Sequence, residues 1–253
     1  MLLPIRTRTV GLLGVLVALS AGCVSQKRRD SAASHASLGV AYLKEGNVPG
    51  SVEELQRATK SDPRSWQAFN KLGLAYLAAG APDRAEQALS RAARLAPDNA
   101  EVLNNYGLIL MRLGRIDEAV PVFEHAIKDL TYRRPSLPMS NLGHALYLLG
   151  RNEEAIAVLD QAVQRAPNLC EARFNRGLAW DAIGKPGRAL EDMESVVALC
   201  GDDTPGAYLE AGRLLISQSD RNGGCSYLLS AQEGAEGTAL AAAARSLREQ
   251  ECK

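Results

Sequence analysis

The sequence predicts an all-α protein made of repeated helical hairpins, and two regularities predict it. First, a glycine returns about every 34 residues, and we call these residues the ladder glycines. They are Gly39, Gly73, Gly107, Gly143 and Gly177, of which Gly143 comes two residues late. Second, each ladder glycine is followed by another glycine after seven residues and by a small residue after twelve. Five units in one register argue against chance periodicity in an ordinary helical bundle.

Each unit is expected to form two antiparallel helices. Small residues at fixed places let the two helices approach closely, while bulky residues fill the space between them. The second glycine separates the helices. Proline cannot continue a helix, so Pro63, Pro97 and Pro167 are expected to end three units. One hairpin cannot cover its own apolar face, and neighbouring hairpins should therefore stack around one extended core.

The pattern resembles the tetratricopeptide repeat (TPR), which implies a solenoid that forms a right-handed superhelix. The TPR array is expected over residues 32–234. Its units are placed near 32–65, 66–99, 100–135, 136–169, 170–204 and 205–237. The sixth unit has Gly212 on the ladder, and Gly223 and Gly224 are expected to interrupt the start of its second helix.

The last segment, 238–253, is predicted to be a capping helix. Thr238 has the character of an N-cap, and the helix is expected to run from Ala239 to Gln250. Such a helix would cover the open end of the stack.

The first 22 residues have the composition of a signal peptide. Arg6 and Arg8 precede an apolar run, 10–19, that is too short for a comfortable transmembrane helix. The run leads into Leu-Ser-Ala-Gly-Cys, which resembles a bacterial lipoprotein cleavage box. The resemblance implies that Cys23 is lipidated. A plain secretory signal with a leftover cysteine is the alternative.

The residue after Cys23 bears on location. It is Val24 and not the aspartate that retains lipoproteins in the inner membrane in the well-studied sorting systems. The resemblance therefore implies a lipid-anchored protein of the outer membrane that faces the periplasm. Residues 23–31 are expected to form the lipidated cysteine and a polar linker.

Charge and motifs argue against several function classes. Lys and Arg number 29, as do Asp and Glu, so the chain lacks the basic excess typical of nucleic-acid binding. The sequence contains no P-loop, dinucleotide fingerprint, GxSxG or HExxH. We expect no enzyme, no cofactor, no metal and no small-molecule substrate, and a monomeric chain.

Four further cysteines are expected to form disulfides in an oxidising compartment. Four cysteines allow three pairings, and hairpin geometry favours Cys170 with Cys200 and Cys225 with Cys252. The first pair lies at neighbouring ends of one antiparallel hairpin, and the second joins the last unit to the terminal helix. No two cysteines are close in sequence, so a redox CxxC pair is excluded.

The first helix of each unit is expected to line a concave, partner-binding groove. In the first three units, apolar residues lie one and four places after the ladder glycine. Amides lie three places before two of these glycines, at the expected edge of the groove, where they would form hydrogen bonds with the backbone of a partner. Such a groove suits an extended or helical segment of a partner protein. Packing of part of this stripe between adjacent hairpins is the alternative. The groove residues are Val40, Leu43, Asn70, Leu74, Leu77, Asn104, Leu108, Met111, His144 and Tyr147.

Two details point beyond a generic repeat. Asn-Asn-Tyr-Gly ends at the ladder glycine Gly107, and a connection through 132–135, two residues longer than the period, leads into Asn141-Leu142-Gly143. With the lipoprotein box and six units, the chain resembles the TPR-containing pilotin lipoproteins of type IV pilus systems, of the PilF, PilW and Tgl type. The resemblance extends from Cys23 to about Pro167.

This resemblance implies a function and a partner. The protein would bind subunits of the type IV pilus secretin and promote their localisation and multimerisation in the outer membrane, for pilus biogenesis and twitching or gliding motility. The alternative is a periplasmic TPR adaptor lipoprotein for β-barrel assembly or for peptidoglycan enzymes.

Overall fold

The computed structural model describes residues 12–129, 132–201 and 204–252, and the side chains of residues 12–25 lie outside the described part. The described residues form thirteen α-helices and no β-strand. The helices are α1 (Leu12–Lys44), α2 (Val48–Ser61), α3 (Trp66–Ala78), α4 (Pro82–Leu95), α5 (Ala100–Arg112), α6 (Ile116–Ala126), α7 (Ser136–Leu148), α8 (Asn152–Arg165), α9 (Cys170–Ala182), α10 (Pro186–Cys200), α11 (Pro205–Ser217), α12 (Arg221–Gly234) and α13 (Ala239–Glu251).

The chain folds into two compact units, Met1–Pro97 and Asp98–Lys253. The N-terminal unit contains the hairpins α1–α2 and α3–α4. The C-terminal unit contains four hairpins, from α5–α6 to α11–α12, and the terminal helix α13. The predicted all-α architecture of repeated helical hairpins is therefore confirmed for the described residues.

The ladder glycines are the points of closest approach within each hairpin. A Cβ atom on Gly73 would lie 2.4 Å from Cγ of Leu89, and one on Gly143 would lie 2.3 Å from Cγ of Leu159. These distances are far below the van der Waals contact of about 3.5–4.0 Å between carbon atoms. The residues that fill the space over the ladder glycines are at most 1% exposed: Leu55, Leu89, Phe123, Leu159, Met193 and Leu228.

The turn between the two helices of a hairpin needs a left-handed residue. In the first five hairpins this residue is glycine, with φ between 68° and 78°. In the sixth it is Ser219, with φ of 72°, the only described non-glycine residue with positive φ. A side chain in this conformation costs roughly 1 kcal/mol or more. The sixth hairpin therefore keeps the turn geometry without the residue that suits it.

The predicted interruption of the sixth hairpin is wrong. Residues Gly223 and Gly224 lie within α12, which begins at Arg221 after the N-cap Asp220. A Cβ on Gly224 would lie 2.7 Å from the carbonyl oxygen of Gly212. Gly224 is thus the small residue that lets α12 pack against the ladder glycine of α11.

The linker expected at residues 23–31 is helical, because α1 runs from Leu12 to Lys44. At a rise of about 1.5 Å per residue, these nine residues span roughly 14 Å and not the length of an extended chain. The side chains of residues 26–30 are exposed. Residues 1–11 and the side chain of Cys23 lie outside the described residues, so the expected signal peptide and lipidation are not described by the structure. None of the helices within the described residues has the length and apolar character needed to cross a membrane.

The terminal helix α13 begins where the N-cap predicts. Thr238 accepts a hydrogen bond at its Oγ1 atom from the backbone N–H of Ala241, at 3.3 Å. The helix packs on α12 and buries Ala241 and Ala244. It extends to Glu251, one residue beyond the expected end.

Disulfides join the two cysteine pairs that hairpin geometry favours. Cys170 at the start of α9 is bonded to Cys200 at the end of α10, with Cα atoms 6.7 Å apart. Cys225 of α12 is bonded to Cys252 after α13, with Cα atoms 5.9 Å apart. In the chain-entropy description each bridge stabilises the fold by about 3–4 kcal/mol.

An arginine replaces the usual apolar residue before the ladder glycine of α9. Arg176 donates from Nε and Nη2 to the carboxylate of Asp192 on α10, at 2.8 and 2.6 Å, and from Nη1 to Asp160 on α8, at 2.7 Å. Asp192 is only 3% exposed, and these hydrogen bonds raise the pKa of Arg176. The residue therefore ties three helices together, which compensates for the weaker repeat pattern in this region.

Candidate partner-binding face

The predicted groove residues of the N-terminal unit lie on α1 and α3. On α3, Asn70, Leu74 and Leu77 are spaced by four and three residues, which places them on one side of the helix. Leu74 and Leu77 are half-buried, and so are Val40 and Leu43 of α1. These four apolar side chains keep part of their surface available for contact with a partner.

The predicted groove residues of the C-terminal unit lie on α5 and α7. Leu108 is 39% exposed, and it is the most exposed of the ten predicted groove residues. Met111 and Tyr147 are half-buried and pack partly against the core that contains Phe123 and Leu142. We call Leu108, Met111, His144 and Tyr147 the α5–α7 face. It is apolar, and its adjacent helices α5 and α7 are in contact.

The asparagines expected at the edge of the groove are buried, so the prediction that they bind a partner backbone is wrong. Asn70 is 3% exposed and Asn104 is 7% exposed. Asn104 accepts a hydrogen bond at Oδ1 from Nδ2 of Asn141, at 2.8 Å, and this bond joins α5 to α7. In α5 the position three residues before the ladder glycine is therefore directed toward the neighbouring hairpin, where an amide needs an internal partner.

His144 is the only histidine of the α5–α7 face. Burial lowers its pKa from the ordinary value of 6.5, and the attraction of Glu171 opposes the shift only in part. The imidazole is therefore neutral near pH 7, and it offers a partner one hydrogen-bond donor and one acceptor rather than a charge.

The apolar character of the first helices ends at α11. There Arg213 holds the place one residue after the ladder glycine, which Leu108 holds in α5 and His144 in α7. Arg213 forms an ion pair with Asp181 of α9 at 2.5 Å and with Glu210 at 2.9 Å. The ion pair of Arg213 with Asp181 could not be predicted from the sequence, because the two residues lie 32 positions apart and the sixth unit is divergent. An apolar partner segment would meet a charged boundary here.

Among the described residues, no group of three or more His, Cys, Asp or Glu side chains could hold a metal ion.

Two family models match this chain and decide its family. One, described as a tetratricopeptide repeat, matches residues 36–100 and 70–136, and the other, described as a TPR repeat, matches residues 143–182. Together they cover more than half of the sequence. The chain belongs to the tetratricopeptide repeat family. No curated protein sequence shows a significant match to this TPR protein.

Solved structures share the fold of this TPR protein over most of its length. PilW, described as a widely conserved type IV pilus biogenesis factor, is 21% identical with a TM-score of 0.76, and the match covers 83% of this chain and 96% of PilW. PilF of Pseudomonas aeruginosa is 22% identical with a TM-score of 0.75, and the match covers 88% of this chain and 99% of PilF. A chain of the Cut9–Hcn1 hetero-tetramer is 16% identical with a TM-score of 0.77, over 93% of this chain and 45% of that one. At these identities the likeness establishes the fold.

Proposed function

We propose that this TPR protein is a type IV pilus biogenesis factor: a lipoprotein of the outer membrane that binds secretin subunits and promotes their assembly. The observation that carries the proposal is the end-to-end likeness to PilW and PilF, in which the matched region spans 96% and 99% of those chains. The likeness to the Cut9–Hcn1 chain covers less than half of that chain, so it reflects shared repeats and not a likeness over the whole length of both proteins.

The described surface supports a binding role. Leu108 is exposed, and Met111, His144 and Tyr147 lie beside it with part of their surface open to solvent. The N-terminal unit presents Val40, Leu43, Leu74 and Leu77 in the same way. A partially exposed aliphatic and Met-containing surface on a rigid helical scaffold suits an amphipathic segment of a partner chain.

The proposed mechanism is mass action and needs no covalent chemistry. A lipid on Cys23 would hold the protein at the membrane, and the apolar surface would collect secretin subunits there. Tethering raises the local concentration of bound subunits, and binding stabilises the assembly-competent state over others. Contacts between the secretin subunits themselves would hold the assembled multimer together.

Secretin multimers in whole cells test this proposal. In a strain without the protein, or with Cys23→Ala, we expect the heat-resistant secretin multimer on denaturing gels to decrease strongly, while secretin monomer remains. Normal multimer in the deletion strain would overturn the proposal. Normal multimer with Cys23→Ala alone would overturn the role of the lipid anchor.

Matched surface variants separate the proposed face from general damage. Leu108→Glu in the C-terminal unit and Leu74→Glu in the N-terminal unit should abolish multimer formation while the circular dichroism spectrum stays helical. The controls are Leu199→Glu and Leu38→Glu, because Leu199 is 48% exposed on α10 and Leu38 is 42% exposed on α1, where it precedes the ladder glycine. Equal loss of multimer in the variants and their controls would contradict a role for the surfaces that contain Leu108 and Leu74.

A further inference from the structure

A second candidate surface lies at one edge of the C-terminal unit, where the connection from α6 to α7 passes the connection from α8 to α9. The space between them is a cleft of about 670 Å³. We call it the arginine cleft, and its principal lining residues are Arg133, Arg134, Leu137, Arg165, Asn168 and Leu169.

The arginine cleft arises from the irregular step of the repeat. Helix α6 ends at Ala126 and α7 begins at Ser136, so the connection comprises residues 127–135. The connection from α8 to α9 comprises only residues 166–169. The longer connection carries Arg133 and Arg134, and it extends far enough to face the end of α8 at Arg165.

The cleft carries uncompensated positive charge. None of the described residues that line it is acidic. Arg133 and Arg165 form no ion pair with any described residue, and both are exposed. Arg134 is hydrogen-bonded to the hydroxyl group of Tyr132, which also lies near the carboxylate of Glu101. Because Lys and Arg together equal Asp and Glu in number over the whole chain, two exposed arginines without an ion-pair partner, Arg133 and Arg165, are a local feature of this cleft.

The wall of the cleft is held in place. Arg173 donates from Nε to the carbonyl oxygen of Pro167, at 3.0 Å, and so fixes the turn before α9. Cys170, directly after the lining residue Leu169, is bonded to Cys200. A cleft that is ordered before binding loses less conformational entropy when a ligand enters.

We propose that the arginine cleft binds a short, acidic, extended segment of a partner protein. Carboxylates of the segment would pair with Arg133 and Arg165, because a guanidinium group matches a carboxylate in geometry and charge. Apolar side chains between the acidic residues would contact Leu137 and Leu169, and the amide of Asn168 would bond to the peptide backbone. A membrane surface fits less well, since the arginines line a concave space together with apolar side chains.

This inference does not rest on the proposed role in pilus biogenesis, and a purified protein tests it. The probe is a fluorescein-labelled octapeptide, Gly-Glu-Leu-Glu-Glu-Leu-Glu-Gly, and the control peptide has glutamine in place of each glutamate. Fluorescence anisotropy at low salt should show binding of the acidic peptide and at least about tenfold weaker binding of the control, in line with the loss of several ion pairs. Binding of the acidic peptide should weaken as salt is raised.

Matched double variants locate the binding site. Arg133→Gln with Arg165→Gln should weaken acidic-peptide binding about tenfold and leave the helical spectrum unchanged. The control, Arg112→Gln with Arg245→Gln, removes two exposed arginines outside the cleft and should change binding less than about twofold.

Three results would overturn the proposal. One is equal binding of the two peptides. Another is an equal loss in the cleft variant and the control variant, which would indicate general charge attraction. The third is binding to phosphatidylglycerol vesicles that depends on Arg133 and Arg165 without peptide binding, which would make a membrane the occupant.

Discussion

Substitution of the ladder glycine Gly143 by alanine tests the packing of the hairpins. The new Cβ would lie 2.3 Å from Cγ of Leu159, 2.6 Å from its Cδ2 and 2.8 Å from its Cδ1. Leu159 is completely buried, so it can move only by displacing its own neighbours. Overpacking of this kind costs about 1–3 kcal/mol, and the better helix propensity of alanine returns about 0.5–1 kcal/mol. We expect Gly143→Ala to lower the free energy of unfolding by about 1–2 kcal/mol.

Gly187→Ala is the matched control for this substitution. Gly187 also lies in a helix, α10, but a Cβ there would meet no atom within 4 Å. It should lose no stability and gain up to about 1 kcal/mol. Thermal unfolding under non-reducing conditions measures both variants, at about 2–4 °C per kcal/mol for a chain of this size.

A double variant assigns the loss to one contact. Leu159→Ala alone should cost about 2–5 kcal/mol because it leaves a cavity. In the presence of Gly143→Ala, however, the shortened side chain no longer meets the new Cβ. The double variant should therefore lose about 1–2 kcal/mol less stability than the two single variants lose together. If Gly143→Ala is as stable as the wild type while Gly187→Ala behaves as expected, the close approach is not what requires the ladder glycine.

Three further predictions concern the turn, the face and the bridges. Ser219→Gly should raise the free energy of unfolding by about 0.5–1 kcal/mol, because glycine adopts the left-handed conformation of the sixth turn without the cost that serine has there. A lower free energy of unfolding than that of the wild type, measured in urea, would contradict this. Burial lowers the pKa of His144, so the unfolded chain takes up a proton more readily than the folded chain, and stability should fall as pH drops through 6.5. His144→Gln should remove that part of the pH dependence. If the wild type and the variant show the same dependence of stability on pH, burial of the imidazole is contradicted. Replacing Cys225 and Cys252 together by alanine should cost about 3 kcal/mol or more; unchanged thermal stability would show that their bridge does not form or does not stabilise.

Much of the fold was predictable because its determinants are local and repeat in sequence. A ladder glycine, a turn glycine and a small residue at fixed spacing describe each of the first five hairpins, and hairpin geometry brings Cys170 close to Cys200. The sixth hairpin was harder to read because Ser219 replaces the turn glycine. Gly224 took the role of a small packing residue there, and the usual reading of two adjacent glycines as a helix break failed.

The candidate binding face was predicted only in part. Helical spacing places Leu108 and Met111 on one side of α5, but it does not say how closely the next hairpin approaches that side. Asn104 and Asn141 are 37 residues apart in sequence, and their hydrogen bond depends on the packing of α5 against α7. The arginine cleft likewise depends on where two connections meet in space.

The binding of purified secretin subunits to this protein tests the proposed function without the rest of the cell. We expect immobilised protein without its first 25 residues to bind the secretin. Leu108→Glu should weaken that binding at least about tenfold, because it places a charge in the centre of the proposed contact. Leu199→Glu should bind as the wild type does. No binding by the wild type, or equal binding by Leu108→Glu, would contradict the assignment of the α5–α7 face to the secretin.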